Sequence, residues 1–337
     1  MKKPIKIIIA VFAVLLAAAI FCTAIFYIVP MSRQKKNRES FTVKPVDKLQ
    51  QDGNYIHFLN TGSSDAILLE SQGHFALIDS GEDTDNPRGL DGLELQGYED
   101  KVLAYLKEHA KGADDKVHLD FIVGTHSHSD HIGGFDTIIA DSEIIIDKAY
   151  LKQYDSSRIM EKETKNWDNQ EVYDQMVNAL NKRNIPIISK PESTPFTFGG
   201  FTVTFFNTED YFPKNKKVGE NDQSIGALIE RNGTKVFLAA DLDNKTGDEK
   251  RIAPEIGKVD LLKVGHHSNM LSTSGGWLRS LMPTVCIVTN KAESVVPTTL
   301  NNITRIADST ILITGQEDGV IAEIGDGGEI QYYNSIH

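Results

Sequence analysis

Thr125-His126-Ser127-His128-Ser129-Asp130-His131 follows directly on the apolar run Leu119–Val123. Three imidazoles and one carboxylate fall between positions 126 and 131. On a short loop leaving a strand, His126 and His128 alternate to the same side and can share one ion. Asp130 and His131 fall at the turn into a helix and can reach a second ion nearby. Imidazole and carboxylate are ligands that suit zinc or manganese, and no thiolate stands among them. The bland alternative is a chance cluster of surface histidines. Gly133 and Gly134, next in the chain, point to a tight backbone approach beneath the cluster.

Two further stretches repeat the pattern. Phe237-Leu238-Ala239-Ala240-Asp241 is an apolar strand that ends in an acid, so its carboxylate emerges at the strand's carboxyl edge, where a ligand bridging two ions is wanted. Taken alone, Asp241 reads equally as a loop acid capping the next helix. Leu261-Leu262-Lys263-Val264-Gly265-His266-His267-Ser268 delivers histidine in the same way, against the alternative of an exposed histidine pair. Three strand ends that all supply metal-type ligands favour one site over three coincidences.

Outward from these motifs, the chain reads as strands at Tyr55–Leu59, Ala66–Glu70 and His74–Ile78, then a helix at Tyr98–His109 with Val102, Leu103 and Leu106 on one face. Residues 150–184 read as mostly helical and polar. Phe196–Phe206, Ser224–Glu230 and Lys235–Ala239 read as strands turning at Gly199-Gly200 and Asn232-Gly233. Asp260–Val264, Val285–Val288 and Ile311–Ile313 follow, with a last hairpin, Val320–Ile324 and Glu329–Tyr333. Strands in two groups, each with helices, predict two packed sheets with helices outside.

The HxHxDH motif, the late Asp241 and the final histidine resemble the metallo-β-lactamase fold superfamily over about residues 54–335. Within it the chain is similar to the teichoic-acid phosphorylcholine esterase catalytic domain and to the hydrolase domain of competence-type DNA-uptake proteins. The matching stretches are Ile56–Gly81, Tyr150–Ile159 (YLKQYDSSRI), Trp167-Asp168-Asn169, Asn221–Ser224 and Asp241-Leu242-Asp243-Asn244. The resemblance implies an αββα sandwich holding two divalent ions, zinc or manganese. His126 and His128 would hold the first ion, and Asp130, His131 and a late histidine the second, with Asp241 between them. His266 is assigned as that ligand and His267 as a phosphate-contacting group; nothing in the spacing separates the two, so the reverse order stays open. No histidine lies between His131 and His266, where many hydrolases of this fold carry another. The first ion would then have an open side, which Asn221 and Ser224 are placed to border. This departure disfavours a lactamase and suits a phosphodiesterase.

Two divalent ions can activate water and neutralise a phosphodiester, with Asp130 or His267 passing a proton to the leaving group. Tyr154 and Trp167 are candidates to receive a choline-like cation, against ordinary packing of a helical cap. The alternatives are an extracytoplasmic nuclease for single-stranded DNA and a non-catalytic, metal-stabilised sensor or scaffold. The 337-residue chain has 35 basic and 47 acidic residues. Seven of the basic residues and none of the acids precede Glu39, which leaves 28 basic against 47 acidic residues, a net charge of −19, in the remainder. Such a surface does not attract polyanions by itself. Cys22 and Cys286 lie in an apolar run and a core strand, so no disulfide is expected.

Ile7–Val29 carries no charge and has lysines before it and Arg33, Lys35, Lys36 and Arg38 after it. As a helix it spans roughly 34 Å, enough to cross a bilayer, and it exceeds the core of a cleaved signal peptide. Residues 1–30 are expected as a single-pass anchor, 31–53 as a polar stalk, and 54–337 as a hydrolase domain. That domain is expected outside the cytoplasm, with a cell-envelope phosphoester as substrate. No aromatic-rich choline-binding repeat follows, so under the resemblance the membrane helix takes over the role of anchor.

Overall fold

The computed structural model describes residues 2–46, 48–83, 96–210, 212–213 and 216–334, with the side chains of 2–10 excepted. The last three positions of the expected domain lie outside the described residues.

Two mixed sheets face each other. The first has eight strands, in the order 330–334, 320–324, 54–58, 67–71, 74–78, 121–124, 149–151 and 187–188. The second has seven, in the order 310–313, 285–288, 261–263, 234–238, 226–231, 201–206 and 196–198. Strand alternation explains the layering. Ile56, Ile67, Leu69, Ile78 and Val123 of the first sheet pack against Val203, Ile229, Val236, Leu261 and Ile287 of the second. Their neighbours Leu68, Leu77 and Ile122 turn the other way, under Glu99–His109, Phe135–Ala140 and Asn169–Lys182. Phe237, Leu262, Cys286 and Val288 do the same beneath Asp248–Ile256, Gly275–Leu281 and Pro297–Ile306. Strands apolar on both faces are what burial between a second sheet and a helix layer requires. This is the expected αββα sandwich.

The 150–184 region is mostly helical, as expected, but does not begin so. Ala149–Leu151 adds a parallel strand, an irregular segment follows, and the helices are Glu161–Asn166 and Asn169–Lys182. A parallel pair, Val117–Leu119 with Ile144–Ile146, is too short for its period to show in sequence.

The expected stalk also differs. Lys2–Thr23, a π-helical turn at Ala24–Ile28 and Val29–Ser40 form one continuous helix, long and apolar enough to cross a bilayer. Its polar end lies on the domain. Arg38 makes a two-pronged ion pair with Glu317 (Nε–Oε1 2.9 Å, Nη2–Oε2 2.7 Å), and the Asn37 amide donates to Asp308. Phe41 and Val43 then pack on the inter-sheet core, and Lys44 pairs through its backbone with Tyr332 and Asn334. The polar composition of 31–40 hid this, because the contacts are ion pairs with residues almost three hundred positions away.

A fragment starting at Gly53 is therefore expected to be less stable than one starting at Met31 by on the order of 2–4 kcal/mol, from lost apolar burial and the paired arginine. Urea denaturation of the two fragments measures it. Equal midpoints would show that the segment merely lies alongside.

Candidate metal centre

The site lies where strands of both sheets end. Asp79 follows His74–Ile78, and His126–His131 follows Phe121–Gly124. Asp241 follows Thr234–Leu238, His266 and His267 follow Leu261–Lys263, and Thr289 follows Val285–Val288. The backbone is unusual there: Asp79, Ala240, His266, His267 and Ser268 all have φ between 45° and 77°. Left-handed backbone in residues other than glycine costs energy and persists only where surrounding contacts enforce it. Gly133 and Gly134 allow the close approach expected of them. A Cβ on Gly133 would lie 2.7 Å from the Asp83 amide, and one on Gly134 2.9 Å from the Ser80 carbonyl oxygen.

The imidazoles face one another in pairs. His126 Nε2 is 3.1 Å from His128 Nδ1, and His131 Nε2 is 3.2 Å from His267 Nε2. In each ring the other nitrogen is held. His131 Nδ1 lies 2.7 Å from Asp79 Oδ2, and His267 Nδ1 lies 2.8 Å from the Thr289 carbonyl oxygen. His128 Nε2 lies 2.9 Å from Glu163 Oε1, and His126 Nδ1 is 3.1 Å from the Thr125 hydroxyl. A nitrogen that donates to an acceptor leaves its partner nitrogen with an inward lone pair, the tautomer a metal ligand needs.

Asp241 sits among these rings, 1% exposed. Its Oδ1 is 3.1 Å from His131 Nε2 and 3.4 Å from His267 Nε2. Its Oδ2 is 3.6 Å from His266 Nε2 and 4.0 Å from His126 Nε2. Neither oxygen accepts a hydrogen bond. Two groups of candidate ligands share it: Asp130, His131 and His267 on one side, His126 and His128 on the other. A buried carboxylate set among ring nitrogens whose other nitrogens are already held fits divalent cations.

Electrostatics point the same way. Asp65, Asp79, Asp130 and Asp241 are buried together, and the fully buried Lys263, ion-paired with Asp65, is the lysine among them. Burial works against charge on His131, yet Asp241 and Asp79 outweigh it and hold this ring's pKa well above the ordinary value. Burial would also raise Asp241, but His131, His267 and His266 hold it well below the carboxylate range. Burial, with His131 and His128 beside it, pushes His126 far down. The cluster therefore contains excess negative charge that protons neutralise in part and divalent ions would neutralise more fully.

The order expected of the late histidines is reversed. His267 stands with Asp130, His131 and Asp241, whereas His266 lies outside both tight groups, held by the Asn221 amide at 3.0 Å. The tandem left-handed turn aims His267 inward, which spacing could not show. Asn221 thus touches a site histidine. Ser224 is fully buried and fixes a turn through its backbone instead, its carbonyl accepting from Asn207. Tyr154 is buried with Ile159 and Val218, the packing alternative, which takes it out of any cation cage. Trp167 stays partly exposed and stacks on His128, with centroids 5.9 Å apart and planes at 26°. A cleft of about 410 Å³ opens over the site, with Asp130 and His267 lining it beside Ser63, Ser64, Asn290 and Lys291. Sequence reading passed over Asp65, Asp79, Lys263 and Glu163. Asp79 carries the same signal as Asp241, an acid at the end of an apolar strand, and Lys263 interrupts one; Glu163 carries no such signal.

A family model described as the beta-lactamase superfamily domain matches residues 77–269, which take in every one of these ligands. The chain belongs to the beta-lactamase superfamily. Its architecture is the metallo-β-lactamase fold of that superfamily, whose members are generally metal-dependent hydrolases. Recombination protein 2 of Haemophilus influenzae is 24% identical over 250 residues, 74% of this chain and 26% of the relative, so the chain spans about a quarter of that protein. The metallo-beta-lactamase fold protein YhfI from Bacillus subtilis is 15% identical and covers 83% of this chain and 99% of its own, with a TM-score of 0.49. Zinc-bound PqqB from Methylobacterium extorquens is 12% identical over 74% of this chain and 85% of its own, with a TM-score of 0.39.

Buried carboxyls around this superfamily site make the metal-free fold sensitive to pH. Burial, opposed by His128, lifts Glu220 to about 7; burial and Asp243 lift Asp222 to about 7; burial lifts Glu249 to about 7. A carboxyl raised on folding stabilises fully below its unfolded value and loses that contribution as pH rises through the folded one. The chelated protein is thus expected to melt at a lower temperature as pH rises from ~5 to ~8. Glu249→Gln should flatten that slope in thermal scans. A midpoint rising over this window would contradict the assignment.

Proposed function

We propose that this chain is a membrane-anchored, metal-dependent phosphoesterase that holds two divalent ions, zinc by preference. His126, His128 and Asp241 would hold one ion, and Asp130, His131, His267 and Asp241 the other. The observation that carries the reading is Asp241, with one oxygen turned to each group of ligands and neither hydrogen-bonded. Bound there, such ions supply Lewis-acid polarisation of a phosphoryl oxygen and a water activated near neutral pH.

The chain's own residues set the geometry. Asp79, Glu163 and the Thr289 carbonyl fix the tautomers of His131, His128 and His267. The paired Lys263 and Asp65 close the floor under Asp241. His266 reaches the Asp241 oxygen that also faces His126, so the two consecutive histidines serve opposite sides of the centre. Asp130, at the cleft edge, is the group placed to accept and return a proton. Ser63, Ser64, Asn290 and Lys291 offer hydroxyl, amide and ammonium groups to an anionic phosphoryl group. A choline-type head group loses the support of Tyr154 and keeps only Trp167. An extracytoplasmic domain, with an envelope phosphoester as substrate, remains the orientation proposed.

The likeness to a recombination protein favours a second reading, a nuclease on single-stranded DNA. The net charge of −19 beyond residue 38 weighs against it.

On a panel of bis-p-nitrophenyl phosphate, p-nitrophenylphosphorylcholine, single-stranded DNA and a cephalosporin, the zinc-loaded protein is expected to turn over the first. Cleavage of DNA alone would establish the second reading, and turnover of the cephalosporin would reject both. Asp241→Asn should lower kcat/KM by roughly 10³-fold or more and bring bound zinc, measured by elemental analysis, below one equivalent. Full metal content and turnover in that variant would exclude a centre shared through Asp241.

A further inference from the structure

The continuous N-terminal helix lies along Pro297–Ile306 and the strand after it with a definite direction. Arg38 meets Glu317, Asn37 meets Asp308, and the Phe26 ring lies 5.7 Å from the Arg305 guanidinium. Cys22 and Thr23 share a groove with Thr298. Earlier residues of the N-terminal helix thus meet earlier residues of the domain helix. Residues 22–27 already lie beside residues 298–305, so it is the helix before Cys22 that projects past the domain; if that part enters the bilayer, the membrane lies beyond the Pro297 end of the domain helix.

The same end borders the metal centre. Ser294 and Val296, just before Pro297, line the cleft, and the Val296 amide donates to the Ser268 hydroxyl at 2.9 Å. Ser268 leads through Asn269, also in the cleft wall, to Met270 and Leu271, which are 71% and 51% exposed. Met270 and Leu271 thus present two adjacent exposed apolar side chains on a turn at the rim of a polar cleft.

We infer that the lip Asn269–Leu271 docks on the bilayer that the N-terminal helix spans, and that the mouth of the cleft opens at the head-group layer. The anchor does more than tether the domain: its rigid, ion-paired continuation into Val29–Ser40 sets which face of the domain meets the lipid. Met270 and Leu271 complete the contact by burying apolar surface at the interface. The inference rests on the membrane reading of the helix and deepens the proposed function, since a phosphoester presented at the lipid surface then reaches the centre without crossing open solvent.

The full chain, with Cys22→Ser to remove the exposed native thiol, is reconstituted in vesicles of phosphatidylethanolamine and phosphatidylglycerol. An environment-sensitive fluorophore is attached in turn through Met270→Cys, Leu271→Cys, Ser294→Cys and Lys190→Cys, the last beyond the far edge of the first sheet. Acyl-chain spin labels are expected to quench the probes at 270 and 271 at least about twofold, and head-group spin labels the probe at 294, with the probe at 190 unaffected. Probes at 270 and 271 no more quenched than the probe at 190 would overturn the inference. So would a blue shift at 270 without quenching, which is what a second copy or another protein on the lip would give, or an unquenched probe at 294. Quenching requires no turnover. A chain that docks and hydrolyses no phosphoester therefore refutes the proposed function and leaves the docking, and one that hydrolyses without quenching does the reverse.

Discussion

Asp241 is a carboxylate taken out of water and given no hydrogen bond, surrounded by ring nitrogens from two sheets. An isolated buried carboxylate is among the most costly groups a fold can contain. The surrounding architecture makes sense as its compensation. Five strands end around it, and the segments leaving three of them, at Asp79, Ala240 and His266–Ser268, adopt left-handed backbone that only a dense network of contacts would hold. Opposite charges from His131, His267 and His266 hold the carboxylate ionised in the absence of metal. Divalent cations would serve the same purpose with more charge and better directionality.

A second ring of groups makes that geometry rigid. Asp79 and Glu163 anchor one histidine from each ligand group, while the Thr289 backbone anchors His267. Lys263 and Asp65, wholly buried beneath the floor, form a pair whose rupture would leave an uncompensated charge in the core. Glu163 is the odd member. It comes from the short helix of the irregular 152–168 region rather than from a strand end, and Trp167 of the same region stacks on the histidine that Glu163 holds. The cap over the first ligand group is thus coupled to the ligands, whatever substrate passes beneath it.

The N-terminal helix has a comparable dual role. Its apolar part is largely exposed among the described residues and meets the domain at Phe26, beside Arg305, and its second part is polar and bound to the domain by Arg38 and Asn37.

Much of this was legible in the sequence. The HxHxDH stretch, the acid closing an apolar strand at Asp241 and the histidine pair at 266–267 mark the candidate ligands that the fold brings together, because ligand chemistry and strand-end placement are local properties. Alternation of apolar residues likewise gave the two sheets and the helix layers, since periodicity is imprinted by burial on each face. Tertiary structure alone decided which of His266 and His267 faces inward, that Tyr154 packs rather than binds, that Ser224 fixes a turn, and that residues 29–40 lie on the domain. The physical reason is common to all four. Each outcome turns on a backbone twist or a long-range contact whose partner is distant in the chain, and neither leaves a trace in local composition or spacing.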